Sequence, residues 1–548
     1  MTMPRERAPA QARANADPAL KLAAVEWAFL AGTILCWSAL VISLGQDTSW
    51  DFRNYHWYIP YAFLNHRMGF DVAVAHQATY YNPLLDVPYY LLATHVRPWL
   101  AVGIMGAVQG SNVVPLYLLA RQSLRVPERM LSAAFVALMG MTGALALGLL
   151  GTTYYDNVMS VFVLSSLAIL VINRETLANG SLWRTAFYTA IAAFLTGAAV
   201  GLKLPEAPFA VGFAAAALAG GGDWKHVSVR ALAGAVGGIA GVLAFAAYWY
   251  STVYHLTGDP LFPYFNEYFK SPLAQSAPYR DVRFLQHGFW NYVMFPLRFS
   301  WNWQIADDLP FRDMRVGLAY VATIIALPSL IIAHFRERDP LVPPSAARIL
   351  FVFFGVSLIA WMKVFAIYRY ILALELLAPL VIVAAIGLLP VPRRVRLAML
   401  GILFFAALVY TRADFLERVP FGDKFIEADL PKFPHPDNTM VIMTGNAPMG
   451  YLAPLLPPKV PILRIDGWML LPEDNTRLTH QMRARVAVQL KKRGDIYLIS
   501  DAFDMGRAHD ALASYRLAIR WLECETVDSN LLGEYRVCPL APKPPGTP

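Results

Sequence analysis

A single carboxylate set among aromatic rings, just beyond a long apolar run, is the first place in this sequence where chemistry could happen. Asp51 stands in Gln46-Asp47-Thr48-Ser49-Trp50-Asp51-Phe52-Arg53-Asn54-Tyr55-His56, shortly after the apolar run Val25 to Leu44. An acid held at a membrane surface by rings that exclude water has its pKa raised and can act as a general base on a hydroxyl. The same residue type also serves as a solvated loop residue or a helix N-cap, and spacing alone does not separate these roles. Asp47 is the less favoured acid of the pair. Of the loop histidines His56, His76, His95 and His287, none has ligand spacing, and only His56, close after Asp51, is placed to matter.

Cations that suit a phosphate lie far away in sequence. Lys203 and Arg369 each sit at the end of an apolar run, where a charge must snorkel to the lipid surface or find a partner. Arg369 is the better phosphate ligand, because its planar fork matches phosphate oxygens and Tyr368 and Tyr370 flank it. Glu375 lies deeper in the same run and needs a buried partner, so a structural pairing is expected of it. Asp156, in Gly151-Thr152-Thr153-Tyr154-Tyr155-Asp156-Asn157, is placed to cap the next helix, to supply a second acid, or both. In Thr257-Gly258-Asp259-Pro260-Leu261-Phe262-Pro263-Tyr264-Phe265-Asn266 two prolines forbid regular helix, which suits a rigid wall over a cavity.

The elements that must position these residues follow from composition. Of 548 residues 57% are hydrophobic and 15% charged, well under the roughly 25% charged of soluble domains. Eleven apolar runs are candidate spans: Val25–Leu44, Leu100–Leu119, Met130–Leu150, Val158–Ile172, Thr185–Val200, Ala207–Leu218, Ala231–Tyr250, Val316–Ala333, Ile349–Met362, Ile371–Leu389 and Leu397–Tyr410. The short pair Thr185–Val200 and Ala207–Leu218 could instead be re-entrant, which leaves the parity unchanged. The first run follows a basic tail and is too long for a signal-peptide core, so it reads as a retained anchor. The net charge of +8 resides mainly in short loops rather than in a basic stripe, which excludes a nucleic-acid partner.

Polarity follows from Lys and Arg density. The tail 1–21 and every second loop after it are more than twice as dense in Lys and Arg as the opposite set of loops. The amino terminus is therefore expected in the cytoplasm and, after eleven crossings, the carboxyl terminus outside. That polarity sends the loops 46–98 and 251–315 and the segment 413–548 to one outer face. Both loops are rich in Trp and Tyr and are expected to lie along the membrane as short amphipathic helices. The expected organisation is a disordered cytoplasmic tail (1–21), an all-α polytopic membrane bundle (22–412) and a small periplasmic α/β domain (413–548). In that domain Thr439–Thr444 and Asp495–Ser500 read as buried strands, Thr476–Arg493 as a helix with a basic face, and Glu534–Cys538 as a last strand. Cys524 and Cys538 could be joined in a compartment that permits disulfides.

A lone Asp in the first outer loop, surface helices after it, many spans and a soluble outer tail together resemble the GT-C glycosyltransferases. The segments Asp51-Phe52-Arg53-Asn54-Tyr55-His56 and Tyr80-Tyr81-Asn82-Pro83-Leu84-Leu85-Asp86-Val87-Pro88 are similar to first-loop segments of bacterial members. The likeness covers residues 25 to 410 as architecture and a few short stretches as motif. It implies an inverting transferase of a bacterial inner membrane that moves a sugar from a polyprenyl-phosphate or diphosphate carrier to a lipid, glycan or protein acceptor. Asp51 would be the catalytic base, Asp156 a second acid near the site, and Arg369 and Lys203 the donor-phosphate ligands. Tyr55, His56, Asn82, Asp86, Asp259 and Asn266 would bind substrate. Asp259 replaces the Asn of a Gly-Asn-Pro-hydrophobic-Phe-Pro motif. Arg53 stands where members with paired acids carry the second one, which leaves a divalent metal open and no other cofactor called for.

Walker, Gly-x-Ser-x-Gly and dinucleotide-binding patterns are absent from the sequence, which argues against ATP-driven transport and against a nucleotide-sugar donor. The alternatives are a carrier or flippase for a lipid-linked glycan or small molecule, a polysaccharide polymerase or ligase, and a non-catalytic assembly subunit docking through 413–548.

Overall fold

The computed structural model describes residues 22–333 and 339–543. The expected tail 1–21 lies outside the described residues. All eleven apolar runs are helical. The helices, in order, are α1 (Ala24–Leu44), α2 (Tyr58–Leu64), α3 (Val87–His95), α4 (Pro98–Gly110), α5 (Val113–Ser123), α6 (Arg129–Met141), α7 (Ala144–Gly148), α8 (Asp156–Ile172), α9 (Arg174–Asn179), α10 (Leu182–Leu202), α11 (Ala207–Leu218), α12 (Trp224–Thr257), α13 (Asn266–Phe269), α14 (Phe289–Arg298), α15 (Arg315–Ala333), α16 (Pro344–Val364), α17 (Leu372–Leu388) and α18 (Arg393–Tyr410). Among the described residues six stretches are long and apolar enough to cross a membrane: α1, α4 with α5, α10, α12, α16, and α17 with the turn before it.

Burial sorts these helices. The α17 stretch is apolar all round and wholly buried, the mark of a helix enclosed by others. Helices α1 and α12 are instead little buried along their apolar windows, with Leu35, Leu232, Val236, Ile239 and Leu243 turned outward. Apolar surface on that scale requires lipid or a partner.

Two runs are broken where sequence periodicity shows no break, and polar side chains explain both. Between α4 and α5, Gln109 and Asn112 donate to the carbonyls of Thr152 and Asn157, tying this turn to the start of α8. Between α6 and α7, the Glu375 carboxylate accepts from the backbone N–H groups of Leu145 and Ala146, and from the Tyr368 hydroxyl at 3.0 Å. Asp313 accepts the N–H of Ala144 and pairs with Arg315. Two acids thus cap the N-terminus of α7, where free N–H groups favour negative charge. Glu375 has the structural pairing expected of it.

Helices α10 and α12 pack backbone against backbone. Gly237 and Gly241 on α12 and Gly197 and Gly201 on α10 sit so close to the opposite backbone that any Cβ would strike it. Small residues four apart let two helix backbones approach in this way.

After α18 the chain leaves the bundle. Short strands β1 (Gln46–Asp47) and β4 (Arg418–Val419) pair, as do β2 (Phe311–Arg312) and β3 (Arg412–Ala413). The carboxyl-terminal domain adds β5 (Thr439–Met443), β6 (Ile462–Arg464), helix α19 (Arg477–Lys491), β7 (Asp495–Asp501), helix α20 (Met505–Ala513), β8 (Leu517–Ile519), β9 (Glu525–Ser529) and β10 (Gly533–Pro542). Strand order is β6-β5-β7-β10-β8, with β9 also on β10; β6, β5 and β7 run parallel and β10 antiparallel to its neighbours. The expected strands and helix are present, and Cys524 is disulfide-bonded to Cys538.

This domain holds the first loop in place. Val72 bridges to the β6 edge, and Arg67, fixed by Asp71 at 2.5 Å, donates to the carbonyls of Pro458 and Val460. Arg53 donates to the carbonyls of Leu531 and Leu532, so the residue standing in the second-acid place is a strut to this domain. Replacing Gly241 by Leu is expected to cost about 1–3 kcal/mol through overpacking against α10, read as a lower unfolding midpoint of the chain in nanodiscs. The exposed Gly401→Leu, with open space around its Cα, should leave it unmoved.

Candidate functional site

Two ion pairs form the centre of the site. Trp50 to Leu64 winds as helix, with a widened π turn at Phe52–His56. Such turns are common where side chains must be re-aimed. Asp51 makes no capping hydrogen bond. Its carboxylate accepts from the Tyr55 hydroxyl at 2.7 Å and from the Arg369 guanidinium at 3.1 Å. Burial alone would push the Asp51 carboxyl up, but Arg369, His56 and the Tyr55 hydroxyl outweigh it and hold the acid below its ordinary range.

The second pair joins Asp156 to Lys203. Asp156 opens α8 behind Tyr155, whose backbone is left-handed, and it too makes no side-chain cap. It pairs with the Lys203 ammonium, which also donates to the Tyr154 carbonyl at 2.9 Å. The other Asp156 oxygen is buried with no hydrogen-bond partner, and Glu206 lies within the field of both groups. Aromatic faces connect the pairs: Arg369 lies over the rings of Tyr154 (4.5 Å) and Tyr370 (5.1 Å), and Lys203 over Tyr370 (5.4 Å). Asp51, Asp156, Lys203 and Arg369, far apart in sequence, therefore share one cluster.

Of the other expected site residues, Tyr55, His56 and Asp86 join this cluster and three do not reach it through their own bonds. His56 Nδ1 is 2.7 Å from Asp86, whose carboxyl burial pushes up. The imidazole packs on Tyr55 and Tyr155, and its Nε2 is buried without a partner. Asn82 instead caps the turn Pro83–Leu85 and donates to the carbonyls of Gly201 on α10 and Phe245 on α12. Asp259 accepts from the Leu261 N–H, and Asn266 is bound to the backbone of Ser271, Ala274 and Gln275. The hydrogen bonds of these three run to backbone groups and not to the cations. Asp47 accepts from the Ser49 N–H and from the backbone and hydroxyl of Thr153, all buried, so it clamps the first loop to the Gly151 turn.

Sequence reasoning missed Asp307, Tyr81 and Tyr264. Tyr264, from the Pro-rich segment, shares a hydrogen bond with Tyr81, whose ring meets Tyr55 edge-on. Asp307, 2% exposed, accepts the backbone N–H of Arg369 at 2.8 Å, while the Ala306 carbonyl accepts that of Tyr368 at 2.6 Å. The second long loop thus fixes the turn that carries Arg369. No local pattern announced this, because the partners are 62 residues apart. Among the described residues no three His, Cys, Asp or Glu side chains gather as a metal site. Both acids of the centre are instead held by cations.

No family model matches the chain, and neither a curated protein nor a solved structure matches it.

Burial pushes the Asp307 carboxyl up to about 6, with Arg369 opposing. Because this folded-state value lies above that of the unfolded chain, the associated stability is complete below the unfolded value. It is lost as pH rises through the folded one. Raising pH from about 5 to about 7 should therefore cost the native chain about 1 kcal/mol more than it costs Asp307→Asn. Unfolding midpoints at the two pH values check this; equal pH responses would show that Asp307 does not titrate there.

Proposed function

We propose that the chain is a GT-C-type glycosyltransferase of a bacterial inner membrane. It would transfer a sugar from a polyprenyl-phosphate or diphosphate carrier to an acceptor hydroxyl on the periplasmic side. The observation that carries the reading is the joining of the Asp51–Arg369 and Asp156–Lys203 pairs into one cluster, where one carboxylate and two cations can meet a phosphorylated donor. The fold reading is an eleven-crossing bundle of the GT-C kind. The Lys and Arg density supports an internal amino terminus and an external carboxyl-terminal domain.

In the mechanism, the donor phosphate competes with Asp51 for Arg369. As the guanidinium turns to the phosphate oxygens, Asp51 loses its strongest stabilising charge and becomes a better base. It then takes the proton of the acceptor hydroxyl. The acceptor oxygen forms a bond to the anomeric carbon from the face opposite the carrier, and the bond from that carbon to the phosphate oxygen breaks, inverting the centre. The electron pair leaves on the carrier phosphate, whose added negative charge Arg369 and Lys203 stabilise in water-poor surroundings. Tyr55, bonded to Asp51, keeps the carboxylate oriented throughout.

A carrier without covalent chemistry would use ionisable groups along a path through the bundle. The interior groups Glu375, Asp313 and Arg315 are engaged in holding α7. That favours the transferase.

Asp51→Asn at normal expression is expected to lower transfer by about 10²- to 10⁴-fold, and Arg369→Ala to weaken both donor binding and turnover. The readout is mass spectrometry of envelope glycolipids and glycans from cells with and without the active chain. A sugar should disappear from the acceptor while its carrier-linked form accumulates. Full transfer by Asp51→Asn would overturn the mechanism.

A further inference from the structure

Helices α15 and α16 leave between them a groove of about 250 Å³ whose lining shares no residue with the ion-pair cluster. Phe354 and Leu358 give it a buried apolar floor, while Ile324, Leu327 and Ile359 stay about half exposed along it. Gly355 keeps it open, since a Cβ there would meet no atom within 4 Å. The groove runs along α16 from Arg348 to Met362. Over that stretch the helix rises about 20 Å, at about 1.5 Å per residue, more than one leaflet of a hydrocarbon core about 30 Å thick. That is the length and chemistry an acyl chain needs.

The Arg348 end is cationic and not neutralised. Arg348 is half-buried, makes no hydrogen bond or ion pair among the described residues, and has a buried Nε with no partner. Its Nη2 lies against the turn after α11, where a Cβ on Gly221 would meet it at 2.8 Å. The Gly221 carbonyl in turn accepts from Arg230, which is 1% exposed and bonded only to backbone carbonyls. Two guanidiniums thus meet at one turn, with no carboxylate paired to either among the described residues; Asp223, the acid of that turn, is bonded to the His226 ring. Like charges in water-poor surroundings raise each other's cost, and an anion brought to Arg348 relieves both. This end lies away from the ion-pair cluster, because Arg369 follows the other end of α16. It is on the side where Lys and Arg density places the cytoplasm, whose leaflet carries the anionic lipid.

We propose that this groove binds one anionic phospholipid, with its phosphate on the Arg348 guanidinium and one acyl chain laid between α15 and α16. A planar guanidinium suits phosphate oxygens, and a free phosphate would leave the apolar groove uncovered. A zwitterionic lipid brings its own cation to a place where Arg348 and Arg230 repel it. The carrier of the transfer reading meets its cations at the opposite end of α16, so the lipid site does not rest on that reading.

The test is native mass spectrometry of the full chain in detergent, titrated in separate runs with phosphatidylglycerol, with phosphatidylcholine of the same chains, and with a polyprenyl phosphate. One phosphatidylglycerol should be retained per chain, about tenfold or more tightly than phosphatidylcholine. That affinity should fall about tenfold, equivalent to about 1.4 kcal/mol, in Arg348→Gln, which removes the charge, and in Gly355→Leu, which fills the groove. Neither variant breaks a bond of the fold, because Arg348 makes none and the space at Gly355 is open. Gly401→Leu, at an open position on α18, should bind as the unsubstituted chain does. Phosphatidylglycerol should also raise the unfolding midpoint of the unsubstituted chain and leave that of Arg348→Gln unmoved. The assignment fails if the two phospholipids bind alike, if either Arg348→Gln or Gly355→Leu keeps full affinity, or if polyprenyl phosphate binds this groove more tightly than phosphatidylglycerol. Displacement of the lipid by glycerol phosphate at equal concentration would make this a free-phosphate site and overturn the assignment as well.

Discussion

Charge placed in water-poor surroundings must be paired, and the pairing of Asp51 with Arg369 organises the rest of this molecule. A buried charge stripped of its partner is expensive, about 3–5 kcal/mol when one member of a buried pair is removed. Meeting that demand fastens the first long loop to the turn between α16 and α17. The Asp156–Lys203 pair likewise fastens the start of α8 to the end of α10. Four segments spread over most of the chain are thereby drawn to one end of the bundle, and the Tyr154 and Tyr370 rings fill the space between the cations. Ion pairs elsewhere in the bundle serve the backbone: Glu375, Asp313 and Arg315 hold the capped break before α7.

Pairing alone does not fix where Asp51 lies; Asp47 ties its loop to the Gly151 turn and Asn82 ties it to α10 and α12. The carboxyl-terminal domain holds the loop from the other side. Strand β4 pairs with β1 just before Asp51, Arg53 just after it reaches the carbonyls of Leu531 and Leu532, and Val72 extends the β6 edge. Arg464 also donates to the Val74 carbonyl at 2.9 Å. The domain that reads as an appendage in the sequence is a clamp around the loop that bears the acid. The β2–β3 pair does the same for the second long loop, close after Asp307.

How much of this was legible in the sequence depends on the range of the interaction. Long apolar runs announce helices through composition alone, and each expected run is helical. The strands at Thr439 and Asp495 and the helix after Thr476 were legible from local pattern. Strands β6, β8 and β9, of three to five residues, carry too little pattern to be read and exist because of their neighbours. The break at Gly143 was hidden because its cause, Glu375, lies far along the chain, on another helix. Asp51, Asp156, Lys203 and Arg369 could be nominated from their residue types at the ends of apolar runs. Asn82, Asp259 and Asn266 look like binding residues in sequence because Asn and Asp are the usual polar groups of tight turns too, and their bonds run to backbone. Asp307 offered only Asp-Asp-Leu-Pro, a pattern that solvated loops share.

The two pairs are not equivalent, and the difference bears on how such a site could work. The cations are alike, Lys203 at 16% and Arg369 at 19% exposed, but the carboxylates differ: Asp156 keeps 1% of its side chain exposed and Asp51 14%. A carboxylate with some exposure can be left by its cation when an anion arrives, while one sealed against water resists it, because separating charges costs more where the dielectric is low. On the transferase reading, the Asp156–Lys203 pair is then the fixed cationic wall and Asp51–Arg369 the exchangeable one. Arg369 can turn without dragging its backbone, since Asp307 and Ala306 hold the N–H groups of Arg369 and Tyr368 in place. The carboxylate that is freed remains aimed by Tyr55. A base that becomes effective only once phosphate has claimed its partner would be protected from idle reaction with water, and the same step would bring the sugar's leaving group against its cations.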